Sequence, residues 1–248
     1  MKKDLIMERR SFLKISASTM SAVAVSPSLI AETLKTEDGK ALFKIYEKVQ
    51  LKDKNKNPLK VSALTKEEAY IFNYPHEGTP ALLVDLATST QKEVTLKAED
   101  GTEYIYTGGH GAQGTIVAYS AICPHSLTHP QKSMSMFNYV AEKAKTMAYS
   151  TGGVFVCTSH LSAFEPKEGG KVVGGPAPQA IPAIILEIDK DDNIWAVAVL
   201  GPDKFQDFFS AFKSELKKEY GRKGAKKLIK EEVKAVKLNN FTASVIIA

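Results

Sequence analysis

Between Ala69 and Val199 the apolar positions fall in short runs separated by Gly, Pro and Asp, the texture of strands joined by turns. Candidate strands are Ala69–Asn73, Ala81–Leu86, Glu103–Tyr106, Gly114–Ala121, Gly153–Cys157, Ala183–Ile188 and Ile194–Val199. The clearest breaks are Thr107-Gly108-Gly109-His110-Gly111 and Asp191-Asp192-Asn193. Many short strands of this kind predict a mainly β fold, an antiparallel sandwich or barrel. Gly174-Gly175-Pro176-Ala177-Pro178 reads as a stiff loop, and residues 134–147 as a short helix inside a long connection.

The flanks are patterned differently. Residues 32–68 are Lys-rich, with a short amphipathic stretch around Leu42 to Val49, and are read as a linker segment ahead of a β domain over 69–201. Within residues 202–248, Phe205, Phe208, Phe209, Phe212, Leu216 and Tyr220 recur at helical spacing, and Gly221 closes that helix. Ala225, Leu228, Ile229, Val233 and Val236 share one face of a second predicted helix, and Phe241–Ile247 reads as a strand. Two roles suit this apolar stripe: packing on its own domain, or docking a partner subunit.

Composition narrows the class. A hydrophobic fraction of 44% and a charged fraction of 25% in 248 residues are ordinary for a soluble globular chain with one good-sized core. The net charge of +5 resides at the ends, because residues 32–201 carry more acidic than basic side chains. A central domain of that sign lacks the basic face of a nucleic-acid binder. The basic C-terminal extension suits a solvated helical face, or contact with an acidic partner or lipid headgroups; any membrane contact would be peripheral.

The N-terminus looks like an address. Glu8-Arg9-Arg10-Ser11-Phe12-Leu13-Lys14 resembles a bacterial twin-arginine export signal. The run Ile15 to Val25 behind it is too short and too rich in Ser and Ala to span a membrane, but suits a signal peptide over 1–31. Cleavage after Ala22-Val23-Ala24 and cleavage after Ala31 both fit. That route carries folded proteins, often with a cofactor installed, into the periplasm.

The chemistry lies in two short motifs. The chain has only two cysteines, and each is followed closely by a histidine: Cys123-Pro124-His125 and Cys157-Thr158-Ser159-His160. A sparse pair of this kind points to metal ligation more than to a disulfide. Two Cys and two His can hold a structural zinc ion, although zinc motifs more often pair like with like and C-x-H is a poor tetrahedral arm. The same donors can hold a Rieske [2Fe–2S] cluster, with both thiolates on one iron and both imidazoles on the other. His129 could compete with His125 but is read as a surface or supporting residue; His76 and His110 have no partner pattern.

The two motifs resemble the C-x-H and C-x-x-H boxes of Rieske proteins, and Gly175-Pro176-Ala177-Pro178 looks like that family's proline loop. The resemblance runs over about residues 72–199 and is closest to the Rieske small subunit of arsenite oxidase. It is carried there by Phe72-Asn73-Tyr74-Pro75, by Ile116-Val117-Ala118-Tyr119-Ser120, and by His160-Leu161-Ser162-Ala163-Phe164-Glu165. It implies a Rieske-type antiparallel β-sandwich with a small cluster-binding subdomain, joined here to C-terminal amphipathic helices. It also implies one [2Fe–2S] cluster on Cys123, His125, Cys157 and His160, supported by Ser162, Phe164, Gly175 and Pro176.

By the same resemblance the chain is a periplasmic electron-transfer subunit, not catalytic alone. Electrons would pass from a larger molybdopterin-containing catalytic subunit to a soluble c-type cytochrome or copper protein. The alternatives are the Rieske subunit of a quinol-oxidising cytochrome bc-type complex and a zinc-bound structural module. Three departures bear on the site. Thr128 and Ser159 occupy the positions of a bracing disulfide in cytochrome bc relatives, and Ser126 stands where a leucine often shields the cluster. Phe164 replaces a tyrosine whose hydroxyl donates to a cysteine sulfur in high-potential relatives, whereas the serine that donates to a bridging sulfide is present as Ser162.

Overall fold

A computed structural model describes residues 42–247, and the expected signal peptide therefore lies outside the described residues. The strands are β1 (Phe43–Lys52), β2 (Tyr70–Asn73), β3 (Pro80–Asp85), β4 (Val94–Lys97) and β5 (Glu103–Tyr106). They continue with β6 (Ile116–Ser120), β7 (Phe137–Val140), β8 (Val154–Cys157), β9 (Ser162–Glu165) and β10 (Lys171–Gly174). The last are β11 (Ala183–Ile188), β12 (Ile194–Leu200), β13 (Glu232–Lys234) and β14 (Val236–Lys237). Three helices, α1 (Phe205–Ala211), α2 (Lys213–Gly224) and α3 (Leu238–Phe241), belong to the C-terminal extension.

The large sheet has the order β13-β1-β12-β11-β6-β3-β2-β14 and is antiparallel apart from the β13/β1 pair. Its central strands β3 and β6 are buried on both faces, so β3 reads as an apolar run up to Asp85 and not as an alternating one. Leu82 and Val84 of β3, with Val117 and Tyr119 of β6, face one core, which also holds Phe137, Phe155, Phe164 and both cysteines. Ala81, Leu83, Ile116 and Ala118 face the other, where Phe205, Phe208, Phe209 and Leu216 of the C-terminal helices pack. A second sheet, β10-β9-β8-β7, and the β4–β5 hairpin complete the layered, mainly β fold. Among the described residues no helix is long and apolar enough to cross a membrane.

Each candidate strand is present, with ends shifted by at most two residues. The differences lie elsewhere, and each has a physical cause. The stretch around Leu42 to Val49, read as an amphipathic segment of a linker, falls almost wholly in β1, whose ladder with β12 slips between Ile45 and Val49. That irregularity breaks the period-two burial pattern and leaves a spacing that mimics a helix face. Residues 134–147 contain β7 and not a helix; all of Phe137–Val140 is buried, so no alternation marks it.

The second C-terminal helix is absent. Leu228 is 43% exposed, so the proposed apolar face is not one face. The chain instead hydrogen-bonds to two free sheet edges: β13 runs beside Gln50–Lys52 and β14 beside Tyr70–Ile71. The tail read as a strand contains the end of α3 and then an extended segment in which Val245 bridges to Ser135. The first helix is divided at Phe212 into α1 and α2, and α2 is not closed at Gly221 but kinked there, where φ is 76°, and runs on to Gly224.

Candidate metal centre

The first motif follows a strand of the large sheet, and the second lies between two strands of the small sheet. Cys123 follows β6, and its loop closes on itself through Cys123 N–H to Thr128 O (2.9 Å) and Leu127 N–H to Cys123 O (2.9 Å). Cys157 ends β8, opposite Phe137 of β7, and His160 precedes β9. Thr158 N–H donates to Met136 O at 2.8 Å, which ties this second loop to the start of β7.

The four expected ligands form two pairs, sorted by donor type. Cys123 and Cys157 are both 0% exposed and lie close enough for each thiol to shift the ionisation of the other. The neighbouring Cys157 thiol draws the Cys123 thiol down, against the opposing effect of burial, while the same pairing, together with burial, pushes Cys157 up. His125 and His160 lie at the exposed tip with ring centroids 4.9 Å apart and planes at 85°. Among the described residues no group of three His, Cys, Asp or Glu side chains is placed to hold one ion, as a mononuclear tetrahedral site requires. Thiols paired inside and imidazoles paired outside suit two irons with unlike ligands.

Ser162 supplies an independent test of fit. Its hydroxyl is buried, 0% exposed, with no hydrogen-bond partner, and an unsatisfied buried hydroxyl normally costs ~1–3 kcal/mol. A bridging sulfide beside it is the acceptor that would satisfy it. Gly175 gives a second test: with φ at 76°, its α-carbon packs so tightly that a Cβ there would lie 2.4 Å from Leu161 O. The loop Gly175–Pro178 therefore rests directly on the second ligand loop, with Gly175 and Pro176 exposed beside it. The far end of this loop is fixed by Gln179, whose amide donates to Pro202 O (2.8 Å) and accepts from Glu99 N–H (3.2 Å). The residues present fit a [2Fe–2S] cluster.

Phe164 is wholly buried against Phe137, ring centroids 6.0 Å apart, in the core that includes both cysteines. Phe164→Tyr is expected to raise the reduction potential, because a phenol buried there gains most by donating to a cysteine sulfur, and such donors favour the more negative reduced state. A redox titration followed by electron paramagnetic resonance checks this; a lower or unchanged potential would contradict it.

Three features have no local signal in the sequence. Ser126 Oγ lies 3.7 Å from Cys157 Sγ and 2.9 Å from Thr128 Oγ1. Leu127 and Leu161, two residues and one residue after the expected ligands His125 and His160, adopt left-handed backbone (φ 58° in both), a conformation that costs ~1 kcal/mol or more for a residue with a Cβ. His129 is not a surface histidine but 8% exposed. Its ring sits edge-on to Phe208 and Phe212 (4.8 and 4.7 Å), with Nδ1 3.2 Å from Leu127 O and Nε2 3.1 Å from Glu215 Oε1.

His129, Gln131 and Lys132 together fasten the segment after the first ligand loop to α2, through Glu215 and Glu219. His129→Ala is expected to cost ~2–4 kcal/mol, from lost ring packing and two lost polar contacts. Denaturant titration of the cluster-loaded protein measures it; a loss under ~1 kcal/mol would mean that this fastening is incidental. His76 packs against Tyr46, Phe205 and Phe209, and His110 Nε2 accepts Leu186 N–H (3.2 Å), so both serve the fold.

Residues 84–185 match the Rieske [2Fe–2S] domain family. Iodate reductase subunit IdrB of Denitromonas iodatirespirans is 31% identical over 195 residues, covering 79% of this chain and 82% of its own. A protein named as a respiratory nitrate reductase Rieske subunit in Haloferax mediterranei is 24% identical over 197 residues, 77% of this chain and 76% of its own. The soluble domain of Rieske protein II from Sulfolobus acidocaldarius superposes with a TM-score of 0.39 at 25% identity, over 59% of this chain and 89% of that domain.

Proposed function

The chain belongs to the Rieske [2Fe–2S] family, and from that premise we propose that it passes single electrons between a larger molybdopterin-bearing catalytic partner and a small soluble carrier, a c-type cytochrome or copper protein, in the periplasm. The observation that carries this reading is the sorting of ligands: buried thiols on the protein side, exposed imidazoles at the tip. A bound Rieske cluster supplies one-electron exchange, at potentials from about −150 to +300 mV across the class.

The chain's own residues do the rest. Cys123 and Cys157 anchor the centre to β6 and β8, and Thr158 holds the second loop to the segment before β7. Gly175–Pro178 covers one side and keeps water from it, while Ser162 offers a hydroxyl from within. His125 and His160 face outward, which shortens the distance to a docked protein. Fixed loops keep the rearrangement between oxidation states small.

Direction is set by the partners' potentials. The relatives are named as subunits of reductases, which supports electrons running from the carrier inward to the catalytic partner. The likeness to arsenite oxidase implies the opposite flow. Export to the periplasm rests on the twin-arginine pattern around Arg9 and Arg10.

The test has two stages. Purified protein is expected to hold iron and acid-labile sulfide in equal amounts and, on reduction, to give the rhombic resonance of a cluster with mixed ligands; zinc alone, with no such signal, would end the proposal. Gentle purification from the native periplasm is then expected to bring down a large molybdenum-containing subunit. Recovery with integral quinol-oxidising subunits instead would favour the cytochrome bc-type alternative.

A further inference from the structure

We propose that Ser126 donates a hydrogen bond to the Cys157 sulfur and so raises the reduction potential of the cluster. The assignment rests on the Rieske reading above and extends it to a residue standing where a leucine shield is common.

The geometry has three parts. Ser126 Oγ is 3.7 Å from Cys157 Sγ, within reach of an O–H···S contact. Thr128 Oγ1 is 2.9 Å from Ser126 Oγ. The loop's own backbone bonds, Cys123 N–H to Thr128 O and Leu127 N–H to Cys123 O, hold both hydroxyls in place.

Chemistry then fixes the direction of each bond. A cysteine bound to iron is a thiolate and can only accept. Ser126 has one hydroxyl proton, so if that proton goes to sulfur its oxygen is free to accept from Thr128. Thr128 thus orients Ser126, and Ser126 addresses the sulfur. Two hydroxyls occupy the positions taken elsewhere by a leucine and a disulfide cysteine.

Burial decides the magnitude. Cys157 is 0% exposed, so a donor to its sulfur acts where water does not screen it. Reduction adds one electron to the centre and breaks no bond of the protein. The donor interacts more strongly with the more negative state, and its loss therefore favours oxidation. Phe164 has no hydroxyl to offer, which leaves Ser126 as a second donor beside Ser162.

The test is a redox titration of the full cluster-loaded chain, poised with mediator dyes and read by electron paramagnetic resonance. Ser126→Ala is expected to lower the ratio of reduced to oxidised cluster at a fixed potential about tenfold, equivalent to ~59 mV for one electron. Ser126→Thr, which keeps the hydroxyl, should titrate close to the parent. Thr128→Val, which removes only the orienting partner, should shift the ratio in the same direction but less. A Ser126→Ala midpoint equal to the parent's, or a Ser126→Thr midpoint equal to that of Ser126→Ala, overturns the assignment. Should the alanine variant fail to retain its cluster, an unmoved Thr128→Val midpoint overturns it equally. Parent protein without the Rieske resonance would refute the family reading, whereas a normal resonance with unmoved midpoints refutes Ser126 alone.

Discussion

A chain carrying both His125→Ala and His160→Ala is expected to fold and to purify without its visible chromophore, at less than a tenth of the parent's iron content. Both imidazoles are exposed and pack on each other, so their removal takes little from the core. Exposed substitutions of this kind ordinarily change stability by within ~0.5 kcal/mol. The metal loses half of its protein ligands. Far-ultraviolet circular dichroism should therefore match the parent's secondary structure while iron analysis and the resonance signal fall together. Cys123→Ser and Cys157→Ser would not separate the two effects so cleanly, because both thiols are wholly buried and belong to the main core. A double histidine variant that kept colour and resonance would place the iron on other ligands and remove the basis for every functional statement about this chain.

The two Cys/His boxes were legible because their pattern is local. C-x-H and C-x-x-H each sit within a few residues, and no tertiary knowledge is needed to see them. Ser162 and Gly175 could be read only through the family resemblance, and the structure gives each a physical reason: an unsatisfied hydroxyl and a close backbone approach. Support for the first loop was not legible. Ser126 meets a sulfur 31 residues away, and His129 meets Glu215 86 residues away, so neither contact has a signature along the chain. Helical spacing located Phe205, Phe208, Phe209 and Leu216 correctly as an apolar stripe, and the structure shows that the stripe packs on its own large sheet. The same reasoning failed for β13 and β14, which exist because β1 and β2 offer unpaired edges. Edge pairing is a property of the assembled sheet, and local periodicity cannot report it.

Gly175→Ala is expected to shorten the lifetime of the bound cluster at least tenfold and to lower its potential, whereas Gly101→Ala should leave both unchanged. The two glycines share positive φ, 76° and 86°, so an added Cβ strains the backbone by ~1–2 kcal/mol at either position. They differ in their surroundings. A Cβ on Gly175 would lie 2.4 Å from Leu161 O and 2.6 Å from Ser162 Cα, both backbone atoms, whereas one on Gly101 would meet nothing within 4 Å. Backbone at that distance cannot rotate away, so the proline loop and the second ligand loop must separate. Separation lets water reach the centre and moves Ser162 from the position where its hydroxyl has only the cluster to satisfy it. Cluster loss can be followed by bleaching in the presence of an iron chelator, with the midpoint measured on the fraction that remains. Equal behaviour of the two variants would mean that the backbone strain common to both is the whole effect, and that Gly175–Pro178 lies over the site without holding it.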